Sequence, residues 1–245
     1  MDFKKLKVVE LAGVLAGPSV GMFFAELGAE VIKVENIRTK GDVTRSWKLG
    51  TEDKDSPISA YFCSVNYNKQ YQFRNLKEEA DRSDVMELIR NADILLVNFK
   101  KGDDLKLGLD YDSIKKINPK IIYAAITGFG DESDRIAYDL ILQAESGFMS
   151  MNGQESSPPT KMPVALIDVL SGHQLKEAIL LELLKQGVNR KAVRITVSLF
   201  DSALASLVNQ ASNYLMEGHV PKRIGSKHPN IAPYGEIFQT QDDKL

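Results

Sequence analysis

Apolar and polar positions along the chain fall into alternating blocks with the periods of strands and helices. Lys7-Val8-Val9-Glu10-Leu11 is a short apolar run, followed by the small-residue stretch Ala12-Gly13-Val14-Leu15-Ala16-Gly17-Pro18. From Pro18 to Leu27 the residues Val20, Phe23, Phe24 and Leu27 recur at helical spacing, and Pro18 suits a first turn. Gly28 stops that helix, and Glu30 to Glu35 reads as a second strand. A strand, helix and strand so closely joined predict a parallel sheet. Further on, the pattern predicts helices over Asp84–Asn91, Tyr111–Ile117, Tyr138–Met149, Ile167–Gln186 and Leu199–Tyr214. It predicts strands over Asp93–Asn98, Lys120–Thr127 and Arg194–Ser198, with a strand-like run over Met162–Ile167. Residues 36–60 are polar and read as a long surface loop, a feature more often functional than idle. The stretch Val220–Leu245 carries Pro221, Pro229 and Pro233 and reads as irregular, although Tyr234–Thr240 has the look of an opening strand. Alternating strands and helices predict a doubly wound α/β fold.

Composition narrows the class. With 43% hydrophobic and 26% charged residues, the 245-residue chain has an ordinary globular profile. Its 31 basic and 33 acidic residues nearly balance, so neither nucleic acid nor a membrane surface is an expected partner. Cys63 is the single cysteine, which excludes an intramolecular disulfide and fits a reducing cytoplasm. The start of the chain has no long apolar segment, so neither a signal peptide nor a membrane span is expected. His173, His219 and His228 are scattered without metal-ligand spacing.

Several residues could carry chemistry. Gly13, Gly17, Gly21 and Gly28 flank the first helix, where they serve either tight strand-to-helix packing or an anion at a helix N-terminus. The dinucleotide fingerprint Gly-x-Gly-x-x-Gly is absent, which argues against a nicotinamide cofactor. Glu35, where a ribose-binding acid would sit in a dinucleotide fold, then reads as a solvated strand end. Asp168 opens the long helix. It is either an N-cap that satisfies backbone N–H groups or a reactive carboxylate at the mouth of the sheet, able to trap an acyl group as an anhydride. Asp139 favours the N-terminal end of its helix, and Tyr138 reads as a half-buried aromatic with its hydroxyl at the surface. Lys69, Lys77, Lys100, Lys101 and Lys106 are solvated lysines singly, but together they could hold the phosphates of a nucleotide-like ligand. Cys63 has no evident activating partner.

The residues themselves add to their spacing. Val14-Leu15-Ala16-Gly17-Pro18 and Leu27-Gly28-Ala29-Glu30-Val31-Ile32-Lys33-Val34-Glu35 resemble the opening of the class III coenzyme A transferases, the CaiB/BaiF family. Matching stretches follow in the family's order: Ala60-Tyr61-Phe62 with Asn66-Tyr67-Asn68-Lys69, then Asn98-Phe99-Lys100-Lys101-Gly102 with Leu107-Gly108-Leu109. Asn118 to Tyr123, Thr127 to Gly130, Tyr138-Asp139 and Gln143 to Gly147 continue the series, and Asp168-Val169-Leu170-Ser171-Gly172, Val197 to Asp201 and His228 to Tyr234 complete it. The resemblance implies a Rossmann-like coenzyme A (CoA) domain over residues 1–200, with 201–245 a linker helix and the start of a second domain. It implies transfer of CoA between an acyl-CoA and a small carboxylic acid, with CoA a substrate and no tightly bound cofactor. It places the catalytic aspartate on Asp168. The CoA contacts fall on Val14, Leu15, Ala16, Lys77, Asn98, Phe99, Lys100, Lys106, Tyr138 and Asp139. Asn36 stands where many members have an arginine for the CoA phosphates. The family's α-methylacyl-CoA racemases carry a histidine where this chain has Tyr138, which favours transfer over racemisation. Members continue beyond Tyr234 with a smaller domain and form interlinked dimers. A homodimer is therefore expected, or a partner chain that supplies the remaining domain, with a non-catalytic CoA-binding fragment as the alternative.

Overall fold

The computed structural model, which describes residues 2–187, 189–238 and 240–242, gathers the strands into one parallel sheet. These are β1 (Lys7–Glu10), β2 (Glu30–Asn36), β3 (Gln70–Arg74), β4 (Ile94–Val97), β5 (Ile122–Thr127) and β6 (Val193–Ser198). They lie in the order β3-β2-β1-β4-β5-β6, and every neighbouring pair is parallel. The order reverses between β1 and β4, which makes the sheet doubly wound, as predicted. Alternate side chains serve opposite faces. Val8, Ile94 and Leu96 join one core, whereas Val9, Leu95 and Val97 join the other. Helices α1 (Ala16–Glu26), α2 (Ala60–Cys63), α3 (Glu79–Arg90), α4 (Asp103–Leu107), α5 (Tyr111–Ile117), α6 (Asp139–Glu145), α7 (Phe148–Met151), α8 (Leu166–Gln186), α9 (Leu199–Ala205) and α10 (Asn209–Glu217) fill the connections. Val20 and Phe24 of α1 and Leu175, Ile179 and Leu183 of α8 cover the first face, while Val85 and Ile89 of α3 and Ile114 of α5 cover the second. Among the described residues no helix is long and apolar enough to cross a membrane.

Several expectations need correction. The helix expected over Tyr138–Met149 breaks at Gly147, whose φ of 91° ends α6 before α7 begins. The one expected over Leu199–Tyr214 breaks at Val208, at φ 48°, and its second half α10 is mostly polar. No strand forms over Met162–Ile167, because α8 already starts at Leu166. None forms over the described part of Tyr234–Thr240; Gln239 and residues 243–245 lie outside the described residues. β3 was not expected, since its exposed edge position leaves the apolar alternation weak. Residues 36–60 form the long, largely exposed connection expected, but it is tied down. Thr44 and Ser59 are buried in it, and Ser59 Oγ donates to the Thr44 carbonyl at 2.6 Å. Glu35, expected to be solvated, is 4% exposed and takes both Arg45 Nε and Nη2, at 2.7 and 2.5 Å.

Two glycines are explained by what lies beneath them. A Cβ on Gly21 would stand 1.8 Å from Glu10 Oε2, and one on Gly172 would stand 2.4 Å from Ser19 Oγ, so α1 rests on Glu10 and α8 rests on α1. Glu10 is itself buried between two lysines. Lys33 Nζ donates to Glu10 Oε1 at 2.9 Å, and Lys69 Nζ stands 2.8 Å from Glu10 Oε2. Asp42 completes the group, 3.1 Å from Lys33 Nζ. Two carboxylates and two ammonium groups balance in charge, which a buried cluster requires. Burial opposes the charge on Lys33, but Glu10 and Asp42 outweigh it and leave its pKa raised. On Lys69 burial wins, aided by Lys33, and brings the pKa down to about 8. Glu10→Gln should therefore leave surplus positive charge in the core and cost about 3–5 kcal/mol in urea denaturation. The charge-balanced double variant Glu10→Gln/Lys69→Met should recover part of that loss.

Candidate active site

In an open α/β sheet, ligands bind beyond the carboxyl ends of the strands where the order reverses. Here that crevice lies between the loops after β1 and β4, and the two loops are tied together. Gly13 N–H donates to Asn98 Oδ1 at 3.1 Å, and Asn98 Nδ2 donates back to the Gly13 carbonyl at 2.9 Å. The tie brings the Val14-Leu15-Ala16 turn beside Asn98-Phe99-Lys100. Leu15 and Ala16 are buried, so the turn offers a ligand mainly its backbone at the start of α1.

Three of the lysines expected to act together lie within electrostatic reach of Asp103. Lys106 donates to Asp103 at 2.8 Å, and this hydrogen bond, with the charges of Lys100 and Lys77 nearby, holds the Asp103 carboxyl below its ordinary pKa. The other two do not join them. Lys69 is buried on Glu10, Asn66 and the Pro18 carbonyl and cannot reach a surface phosphate. Lys101 turns instead to the Glu132 carbonyl, at 2.6 Å. Asn36 is occupied as the cap of a short turn, accepting from Arg38 N–H at 3.0 Å.

Asp168 occupies the first turn of α8 but does not cap it, contrary to the N-cap reading. The capping work is done from outside: Asp139 Oδ1 accepts the Ile167 N–H at 2.8 Å, while Asp139 Oδ2 accepts from Gln143 Nε2 at 2.6 Å. Gln143 is fully buried and also takes the Met162 N–H at 2.8 Å, so α6 fixes the segment that delivers Asp168. Relieved of capping, the Asp168 carboxyl has no hydrogen-bond partner among the described residues. Burial, and then the negative charge of Asp139, push its pKa up to about 7. A carboxylate held this way is poorly solvated and more basic than a surface aspartate, which suits a nucleophile. Tyr138, the residue before α6, is 66% exposed rather than half-buried.

Sequence reading passed over Tyr61, Trp47, Asp42 and Gln143 as site residues. Burial raises the pKa of the Tyr61 hydroxyl, and the carboxylates of Asp168, Asp139 and Asp42 raise it further. Trp47 meets Tyr61 edge to face at 5.0 Å, and the two rings line a cavity of about 530 Å³ with Leu49 and Glu52. The one available signal was an aromatic pair inside a polar stretch.

The Asp168 carboxyl carries a cost whose sign can be worked out. A group whose pKa is raised from 3.8 to about 7 binds its proton more readily in the folded chain than in the unfolded one. Its contribution to stability therefore falls as pH rises through this window. Asp168→Asn should be nearly as stable as wild type at pH 4 and more stable at pH 8, by roughly 1–3 kcal/mol after allowance for partial exposure. Thermal or urea unfolding at the two pH values checks this, and a variant destabilised at pH 8 would contradict it.

Comparison with known proteins shows the family. The family model described as "CoA-transferase family III" matches residues 3–245. The chain is 40% identical to succinate–glutarate CoA-transferase of Agrobacterium fabrum, over 98% of this chain and 61% of that protein. It is 38% identical to acetyl-CoA:oxalate CoA-transferase of Acetobacter aceti, over 98% of this chain and 61% of that protein. A crystal structure of a CaiB/BaiF family protein from Brucella suis superposes with a TM-score of 0.86 at 41% identity, covering 95% of this chain and 62% of that one. The chain thus spans about three fifths of the length of the relatives it matches. By sequence and by fold, this chain belongs to CoA-transferase family III.

Proposed function

We propose that this chain carries the CoA site and the nucleophile of an enzyme that moves CoA between an acyl-CoA and a short carboxylic acid. The observation that supports it best is the uncapped Asp168 carboxyl, pushed up to about 7 at the mouth of the sheet. The Val14–Ala16 turn, Asn98, Phe99 and Tyr138-Asp139 would flank CoA, and Lys77, Lys100 and Lys106 would take its phosphates. Relatives named for succinate, glutarate and oxalate suggest short dicarboxylic acids as acceptor groups.

In this reading the ionised Asp168 attacks the thioester carbonyl, forming an acyl-aspartyl anhydride and releasing CoA thiolate. The thiolate attacks the aspartyl carbonyl, forming an aspartyl-CoA thioester and freeing the donor acid. The acceptor carboxylate attacks that thioester and releases the thiolate again. Thiolate attack on the acceptor's carbonyl then gives the new acyl-CoA and regenerates the Asp168 carboxylate. Each tetrahedral oxyanion needs N–H donors, a role for backbone amides. CoA is consumed and regenerated as substrate, with no tightly held cofactor. A homodimer, a cytoplasmic setting and a division of the chain near residue 200 belong to the same proposal. A second reading is a CoA-binding unit that turns CoA over only with a partner chain, in keeping with a match to 61% of its relative's length.

Asp168→Ala separates binding from chemistry. Exchange between acyl-CoA and a labelled dicarboxylic acid should fall to background, while calorimetric CoA affinity should stay within about threefold, since the carboxylate would act only on the reacting carbonyl. Unchanged exchange would remove Asp168 from the mechanism.

A further inference from the structure

The turn at the crevice is held in a conformation that its own residues resist. Val14 lies at φ 71°, in the left-handed region. For a β-branched residue this is a true outlier, with a cost of about 1–3 kcal/mol, and it persists only where the surroundings over-determine it. The structure shows what does so. The Val14 N–H points at the Asp42 carboxylate, 3.1 Å from Oδ2 and 3.4 Å from Oδ1. Asp42 is fixed on every other side. Its Oδ1 accepts Thr44 N–H at 3.1 Å and Thr44 Oγ at 2.8 Å, and Lys33 Nζ stands 3.1 Å from Oδ2. Its own N–H donates to Glu35 Oε2 at 2.6 Å, the carboxylate that Arg45 grips. Lys33 also donates to the Ala12 carbonyl at 2.7 Å, so one ammonium group anchors both Asp42 and the strand end that leads into the turn.

We propose that Asp42 is a positioning residue: anchored on Lys33, it holds Val14 left-handed and so sets the Gly13–Ala16 turn in the shape that receives CoA. The proposal rests on the reading of this turn as part of the CoA site. Asp42 touches no reacting atom. Its effect is preorganisation, so that binding does not have to order the turn. A buried ion pair that served the fold alone would influence stability without regard to the residue at position 14.

A double-mutant cycle distinguishes the two. CoA dissociation constants are measured by calorimetry for the wild-type chain, Asp42→Asn, Val14→Gly and the double variant. With Val14 present, Asp42→Asn should weaken CoA by about tenfold or more, corresponding to loss of the held conformation. With glycine at 14 the same change should cost less than about threefold, because glycine takes a positive φ unaided. Equal losses in both backgrounds overturn the proposal. Amide hydrogen exchange supplies a readout that needs no ligand. Asp42→Asn should speed exchange across Gly13–Ala16 by about tenfold or more while β4 and β5 keep their protection, and unchanged exchange in the turn also overturns the proposal. Where Asp42→Asn fails to fold, the charge-balanced Lys33→Met/Asp42→Asn variant takes its place in both measurements. If the wild-type chain does not bind CoA, the CoA reading fails on its own account, and the exchange comparison alone then decides whether Asp42 fixes the turn.

Discussion

The hydrogen bond from the Ile167 N–H to Asp139 Oδ1 is the contact on which the surroundings of Asp168 depend. A long helix leaves its first N–H groups unpaired, and an aspartate in the first turn ordinarily answers them and is stabilised as an anion. In this chain a carboxylate from α6 takes that place. Among the described residues, Asp168 is left in the first turn of α8 with neither a cap to form nor a cation beside it, and Asp139 adds a like charge nearby. Two carboxylates thus divide two tasks. Asp139 is tied to the Ile167 N–H and to Gln143, whereas Asp168 keeps a raised pKa, as the proposed nucleophile would need. This is the general pattern by which environments separate the roles of similar acids.

The second support of the site lies deeper. The Glu10, Lys33, Lys69 and Asp42 cluster sits under α1 and joins the end of β1 to β2 and to the segment between β2 and β3. Because its charges balance within the cluster, it adds rigidity without a free charge to attract a ligand. It also accounts for Gly21, which has no room for a side chain above Glu10. The turn after β1 is therefore held by charge from below and by Asn98 from the side, while the outer lysines near Asp103 remain exposed.

Much of the framework was legible in the sequence because burial on both sheet faces leaves continuous apolar runs, as in Ile94-Leu95-Leu96-Val97. Tyr111–Ile117 matched its helix residue for residue, and the long helix was placed to within one residue of its start. Edge strand β3 escaped because an edge needs little apolar surface. The breaks at Gly147 and Val208 depend on single left-handed residues that apolar periodicity does not register. The site was harder to read. Asp168 and Asp139 stood out, but which of them capped α8 depends on a contact across 28 residues of sequence. The same limit misread Lys69 and Glu35 as solvated, since the partners that bury them lie 59 and 10 residues away.

The central claim is that Asp168 is a carboxylate left free to become acylated. The direct measurement is chemical trapping. The chain is incubated with succinyl-CoA and quenched with hydroxylamine, and the peptides are mapped by mass spectrometry. An activated acyl derivative of an aspartate is converted by hydroxylamine to the hydroxamate, and the account predicts that modification at Asp168 and not at Asp139. A turnover-competent sample with Asp168 unmodified, or with the hydroxamate on another carboxylate, would contradict it.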